Sequence, residues 1–141
     1  MDRPEISGNS IVIPSDSIYI SAVDDFVYDR FGKAGISRSQ IADFAISISE
    51  MVNNAITHGN SSRPEKKVTV KIDIDREIAR ISIKDQGTGF DPDSVPNPVD
   101  KENLLKQVGR GIFIVRSLMD SVDFYCTGSG TEVILQKKLK D

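Results

Sequence analysis

Residues 41–59 run Ile41-Ala42-Asp43-Phe44-Ala45-Ile46-Ser47-Ile48-Ser49-Glu50-Met51-Val52-Asn53-Asn54-Ala55-Ile56-Thr57-His58-Gly59. Apolar side chains recur at Ile41, Phe44, Ala45, Ile48, Met51, Val52, Ala55 and Ile56. That unbroken i, i+3, i+4 series predicts one buried face of an amphipathic helix. Ser37 or Ser39 opens the helix and Gly59 closes it. At ~100° per residue, Asp43, Glu50, Asn54 and Thr57 gather on the other side. That side is short of charge, with Asp43 and Glu50 the two formal charges between Ile41 and Asn60. Solvent-washed helices favour Lys, Glu and Arg over Ser, Asn and Thr, which are poor helix formers. Either another element covers this face, or its small polar groups meet a ligand.

Outward from this helix the chain alternates helices with strands. Upstream, Ile11-Val12-Ile13 ends at Pro14 and reads as a first strand at a sheet edge or end. Ser15 or Asp16 then caps a helix to about Phe31, with Tyr19, Ala22, Val23, Phe26 and Val27 on one face and Gly32 and Gly35 at its end. Downstream, residues 60–66 form a polar loop. Val68, Val70, Ile72 and Ile74 alternate with polar residues, and so do Ala79, Ile81 and Ile83, with Arg76-Glu77 as the hairpin turn between them. The same parity carries Asp85 onto the core side of the second strand's end, where a carboxylate demands a specific donor. Residues 86–108 show no clear period before Leu104-Leu105 and read as a lid or binding loop. Gly109-Arg110-Gly111 leads into a helix to Asp120 with its face at Ile112, Val115, Leu118 and Met119. Strands near Ser121–Cys126 and Thr131–Leu139 finish the chain as a hairpin.

With 141 residues, the chain has the length of one domain, 1–141, able to bury ~68% of its unfolded surface. Eighteen basic against twenty-one acidic residues give a net charge of -3, so no polycationic footprint for nucleic acid appears. The longest apolar run, Ile112 to Val115, is too short for a membrane span, and Met1 to Ser10 shows no signal peptide. A single cysteine, Cys126, excludes an internal disulfide and fits a reducing cytoplasm. Six of the ten glycines form Gly-x-Gly pairs at 87/89, 109/111 and 128/130.

Three constellations bear chemistry. Glu50 and Asn54 stand one helical turn apart, as a base and a neutral oxygen ligand should, or as an ordinary surface pair. Asp85-Gln86-Gly87-Thr88-Gly89 is either an Asp turn or a buried acceptor for an exocyclic amine, its glycines admitting a flat ring. Gly109-x-Gly111 is either a flexible joint or a phosphate cradle of free N–H groups at a helix start. Neither a P-loop string nor Gly-x-Gly-x-x-Gly occurs. Gly128-x-Gly130 reads as a hairpin turn, and His58, without a second histidine, closes the helix end rather than ligating zinc. Lys137, Lys138 and Lys140 read as a solvated basic tail.

Taken in order, Glu50-x-x-x-Asn54-Ala55-x-x-His58-Gly59, Asp85-x-Gly87-x-Gly89, Gly109-x-Gly111 before a helix and Gly130-Thr131 between strands resemble the GHKL ATPase superfamily. Glu102-Asn103-Leu104-Leu105-Lys106 and Arg116-Ser117-Leu118-Met119-Asp120 narrow the likeness to the anti-sigma-factor serine/threonine kinases, the RsbW-like and SpoIIAB-like group. The resemblance implies an α+β two-layer sandwich of the Bergerat ATP-binding type, a mixed, mostly antiparallel sheet with helices packed on one face. It implies that Asp85 accepts from the adenine amino group, with Thr131 assisting through water, and that Gly87 and Gly89 flank the base. Asn54 would ligate Mg²⁺, the backbone of Gly109, Arg110, Gly111 and Ile112 would bind the phosphates of ATP, and Glu50 would be the general base. Residues 91–108 would be the lid, and the nucleotide with its metal would cover the Ser, Asn and Thr face of the 41–59 helix. The implied partners are a STAS-domain anti-anti-sigma protein carrying the acceptor serine, a sigma factor and a second copy of the chain, with no direct nucleic acid and no membrane. An ATP-gated binding module with little kinase activity and a stressosome-type switch kinase share these motifs. A histidine kinase would need an acceptor histidine, and only His58 is present.

Overall fold

The alternating apolar stretches assemble into one six-stranded sheet in the computed structural model, which describes residues 3–87 and 109–139. In chain order the strands are β1 (Glu5–Ser7), β2 (Ser10–Pro14), β3 (Lys67–Ile74), β4 (Ile78–Lys84), β5 (Ser121–Thr127) and β6 (Gly130–Lys138). Their order across the sheet is β1-β2-β3-β4-β6-β5, and all five pairings are antiparallel. The helices are α1 (Ile20–Lys33), α2 (Arg38–Asn54) and α3, helical over 109–118 among the described residues. The architecture is the expected α+β sandwich.

Local chemistry sets the boundaries. Asp16 accepts from the Ile18 N–H at 3.1 Å and caps the short 3₁₀ turn, Ser17–Tyr19, that leads into α1. Ser37 accepts from Gln40 N–H and caps α2. Between β3 and β4, Asp75 Oδ1 accepts from the N–H groups of Glu77 and Ile78 at 2.7 and 2.8 Å, closing the turn at Arg76-Glu77. These two bonds hold the Asp75 carboxyl below its ordinary value.

The core lies between one sheet face and the helices. Val68, Val70 and Ile72 of β3 and Ala79, Ile81 and Ile83 of β4 face Val23, Val27 and Phe31 of α1, the apolar stripe of α2, and Val115. Every residue assigned to that stripe, from Ile41 to Ile56, is buried. Phe31 and Phe44 lock α1 to α2, their rings 4.7 Å apart in a tilted stack worth ~0.5–1.5 kcal/mol beyond burial.

The structure corrects three sequence readings. The Ile11–Ile13 strand is not at the edge, because Glu5–Ser7 folds back on it as β1, a strand too short and exposed to show a pattern. Lys137 is no solvated tail: β6 runs through it, and its Nζ donates to the Leu118 carbonyl at 2.6 Å and lies 4.0 Å from Asp43. Gly109 and Arg110 are already helical, so the glycine pair lies inside α3 rather than ahead of it. Glycine tolerates helical φ and ψ at ~1 kcal/mol relative to alanine, a cost the packing of Val115 and Met119 against the core outweighs.

Candidate functional site

Where α2 ends, the backbone widens into one π-helical turn, Ala55–Gly59, with Asn60 N–H reaching the Ala55 carbonyl at 2.8 Å. Such turns recur at functional sites because the extra residue re-aims side chains. Here it brings Gly59 against the end of β4. A Cβ on Gly59 would fall 2.1 Å from Asp85 Oδ2, and one on Gly87 would fall 1.7 Å from the Gly59 carbonyl oxygen. Two residues far apart in sequence thus approach as closely as only glycines allow.

Asp85 is buried at 4% exposure, and the donor its position demanded is present. Its Oδ1 accepts from the backbone N–H of Thr131 and of Gly87, each at 3.0 Å. Charge-assisted bonds of this kind contribute ~1.5–3 kcal/mol each. Antiparallel pairing of β4 with β6 makes this possible, since Asp85 N–H also donates to the Thr131 carbonyl at 3.0 Å. Gly130, read as a turn residue, is more than that. Its φ is +147°, and a Cβ there would meet the Asp85 carbonyl oxygen at 2.1 Å.

In front of Asp85 opens a cavity of about 360 Å³. Met51, Asn54, Ala55, His58 and Gly59 line it from α2 and its π turn. Ile83, Asp85, Thr131 and Val133 line it from the sheet, with Phe124 and Cys126 of β5 and with Gly109 and Ile112 of α3. Ligand pockets typically measure ~300–1,000 Å³ and are mainly apolar with a few convergent polar groups, as this one is. Burial of His58 beside the apolar wall lowers its pKa from 6.5.

Of the residues singled out from sequence, Asn54, Asp85, Gly109, Ile112 and Thr131 line this cavity. Gly87 packs behind Asp85 through its N–H. Glu50 and Gly111 meet beside Asn54: a Cβ on Gly111 would lie 3.0 Å from Glu50 Oε2 and 3.6 Å from Asn54 Nδ2. Arg110 is exposed. Gly89 and the 91–108 lid lie outside the described residues. Met51, Ala55, His58, Gly59, Ile83, Phe124, Cys126 and Val133 were not singled out as site residues. Helical spacing from Asn54 (51, 54, 55, 58) and strand parity from Asp85 (83, 85) were the signals that could have found several of them.

The polar face of α2 has several separate explanations. Ser49 donates to Asp24 of α1 at 2.9 Å, Ser47 is buried, and Asn53 and Thr57 are exposed. Asn54 alone of this set reaches the cavity, at the margin of the apolar stripe. Covering by a nucleotide is therefore not the general cause.

The lining suits a flat apolar ring with a donor edge, because among the described residues Asp85 is the one carboxylate lining an otherwise largely apolar cavity. For a metal, no cluster of three or more His, Cys, Asp or Glu exists among the described residues. Asn54 is a single oxygen donor, which fits Mg²⁺ carried mainly by ligand oxygens and water.

This sheet, helical layer and inter-layer cavity fit the nucleotide-binding ATPase class to which the matching family model assigns the chain. A family model described as histidine kinase-like ATPase domain matches residues 13–137, and the chain belongs to that family. Serine-protein kinase RsbW of Staphylococcus epidermidis is 31% identical over 135 residues, covering 91% of this chain and 84% of that protein. Serine-protein kinase RsbW of Staphylococcus aureus (strain bovine RF122 / ET3-1) is 29% identical over 135 residues, with the same coverage of 91% and 84%. Among solved structures, the RsbU and RsbW domains of Rv1364c from Mycobacterium tuberculosis align with a TM-score of 0.70 at 20% identity, covering 92% of this chain and 31% of that one. The blue-light activated histidine kinase of Erythrobacter litoralis EL346 aligns at 0.58 with 18% identity, covering 89% and 42% of the two chains. These structural likenesses concern the fold. No helix among the described residues is long and apolar enough to cross a membrane.

Proposed function

We propose that this chain is an ATP-dependent protein serine kinase that also serves as an anti-sigma factor, the whole chain acting as one domain in the cytoplasm. The observation that carries the reading is the Asp85 carboxylate, buried in a cavity wall with Oδ1 held by two backbone N–H groups. A carboxylate so fixed presents an acceptor of set position to an exocyclic amine. The sequence relatives named serine-protein kinase RsbW support a serine as acceptor.

In this reading the adenine amino group donates to Asp85, and Thr131, whose N–H already orients that carboxylate, borders the base. Gly87 holds the Asp85 carboxylate from behind through its N–H, and Gly89 flanks the base. The backbone of Gly109, Arg110, Gly111 and Ile112 lies along the phosphates, with residues 91–108 closing over them as a lid. Asn54 holds Mg²⁺, which when bound neutralises phosphate charge. Glu50 stands one turn before Asn54 and beside Gly111, and in this reading the terminal phosphoryl group ends next to it. Its carboxylate takes the proton from the attacking serine hydroxyl as the serine O–P bond forms, the β–γ bridging P–O bond breaks and ADP leaves. The acceptor is a serine of a STAS-domain anti-anti-sigma protein, the sequestered ligand is a sigma factor, and a homodimer is the working form. Nucleic acid is not contacted directly.

Labelled ATP incubated with the chain and the STAS protein encoded nearest to it is expected to label one serine. Glu50→Gln should retain nucleotide binding while transfer falls ~10²–10⁴-fold. Binding without any transfer by the wild type would instead make the chain an ATP-gated switch. Undiminished transfer by Glu50→Gln would remove Glu50 as the base.

A further inference from the structure

Asn60 follows the π turn, is 1% exposed, and has no part in the chemistry above. Its Nδ2 donates to Ser15 Oγ at 2.8 Å and to the Lys67 carbonyl at 3.0 Å. Its Oδ1 accepts from the Gln86 N–H at 2.8 Å. Ser15, also buried, donates its own hydroxyl to the Lys66 carbonyl at 2.6 Å, and Gln86 Oε1 accepts from Lys67 N–H at 2.7 Å. The amide's orientation follows from these partners: a carbonyl and a committed hydroxyl face the NH₂ end, and an N–H faces the oxygen. One side chain therefore ties the β2–α1 junction and the start of β3 to the residue after Asp85.

The place of that tie matters more than its strength. Gln86 sits between Asp85, the acceptor, and Gly87, whose N–H holds Asp85 Oδ1. Asn60 is also covalently next to Gly59, whose missing side chain leaves room for Asp85 Oδ2. It grips both walls of the contact between the π turn and the end of β4. We propose that Asn60 is a positioning residue for purine recognition: it sets the 85–87 turn against Gly59 and so fixes where the Asp85 carboxylate meets the exocyclic amine, without touching the nucleotide. This rests on the adenine reading of Asp85 given above. A buried amide that merely supported the fold would, when removed, weaken all nucleotides alike. A positioning amide removes the preference for the amine.

The experiment compares ATP with purine riboside 5′-triphosphate, which lacks the 6-amino group, by calorimetry on the whole chain. Wild type is expected to prefer ATP by about tenfold or more, the worth of one bond to a charged acceptor. In Asn60→Ala the preference should shrink to about threefold or less. Asn60→Ser, too short to reach the Gln86 N–H, carries the same expectation should Asn60→Ala not fold. Ser15→Ala removes one Nδ2 partner but leaves the Gln86 contact, and should keep the wild-type preference despite a lower Tm. An Asn60 variant that binds both nucleotides more weakly yet keeps the wild-type ratio overturns the proposal alone. A wild-type ratio near one overturns the adenine reading of Asp85, and the proposal with it.

Discussion

Gly59, Gly87 and Gly130 pack about Asp85 and each other only because each lacks a side chain: added Cβ atoms would meet Asp85 Oδ2, the Gly59 carbonyl and the Asp85 carbonyl in turn. An alanine at Gly59 would drive its methyl 2.1 Å from Asp85 Oδ2, so the carboxylate must move. Gly59→Ala is expected to cost at least ~1.4 kcal/mol of ATP affinity, about tenfold, and to lower Tm. Gly32, in α1, is the counterpart, because a methyl group there would meet nothing within 4 Å. Gly32→Ala should bind ATP as wild type does and gain ~0.5–1 kcal/mol of stability. Calorimetric titration and thermal unfolding of the two variants check both statements, and equal ATP affinity in both would remove the crowding argument. At this scale Asp85 was legible, because strand parity put a carboxylate on the core side. Gly59 and Gly130 were read as a helix end and a turn, since the atoms that make them necessary belong to residue 85 and no local pattern reports them.

Among the elements, α2 was legible nearly residue by residue, because a 3.6-residue period repeated over several turns has few other readings. Its π turn was not, since widening by one residue leaves no mark in that period. Strand β5 was found in place, but its role was not. Pairing Phe124 with Val133 and Cys126 with Thr131 turns both side chains toward the helical layer, where they form one cavity wall. Cys126 is exposed, and its Sγ lies 3.9 Å from Thr131 Oγ1. A nucleotide seated against Asp85 and Thr131 should shield that thiol. Saturating ATP is expected to slow Cys126 alkylation by about fivefold or more, read by whole-protein mass, since the chain has one cysteine. Equal rates with and without ATP would place the nucleotide elsewhere.

For the molecule as a whole, His58 links the site to stability. Burial lowers its folded pKa from the ordinary 6.5, so the folded state takes up its proton less readily than the unfolded one. That contribution is complete above pH ~6.5 and is lost as pH falls from there through the folded value. Asp75, held low by backbone bonds, keeps its contribution down to about pH 3.8 and loses it only below that, whereas the His58 contribution already begins to fall below pH ~6.5. Urea unfolding at about pH 7.5 and 5.5 should show lower stability at the acid end, with the difference reduced in His58→Gln. An unchanged difference in that variant would assign it to other groups. Sequence alone determined what periodicity and order can encode: which faces of α1, α2, β3 and β4 are apolar, where Asp85 falls, and which family the motifs resemble. Tertiary structure alone decided that β1 and not β2 forms the edge, that β6 lies between β4 and β5, and that Gly59, Gly87 and Gly130 pack tightly about Asp85, whose following residue is tied to Asn60. The physical reason is range. Periods and caps act between residues a few positions apart, whereas the site is made by contacts between segments 26 and 46 residues distant, which exist only once the sheet has formed.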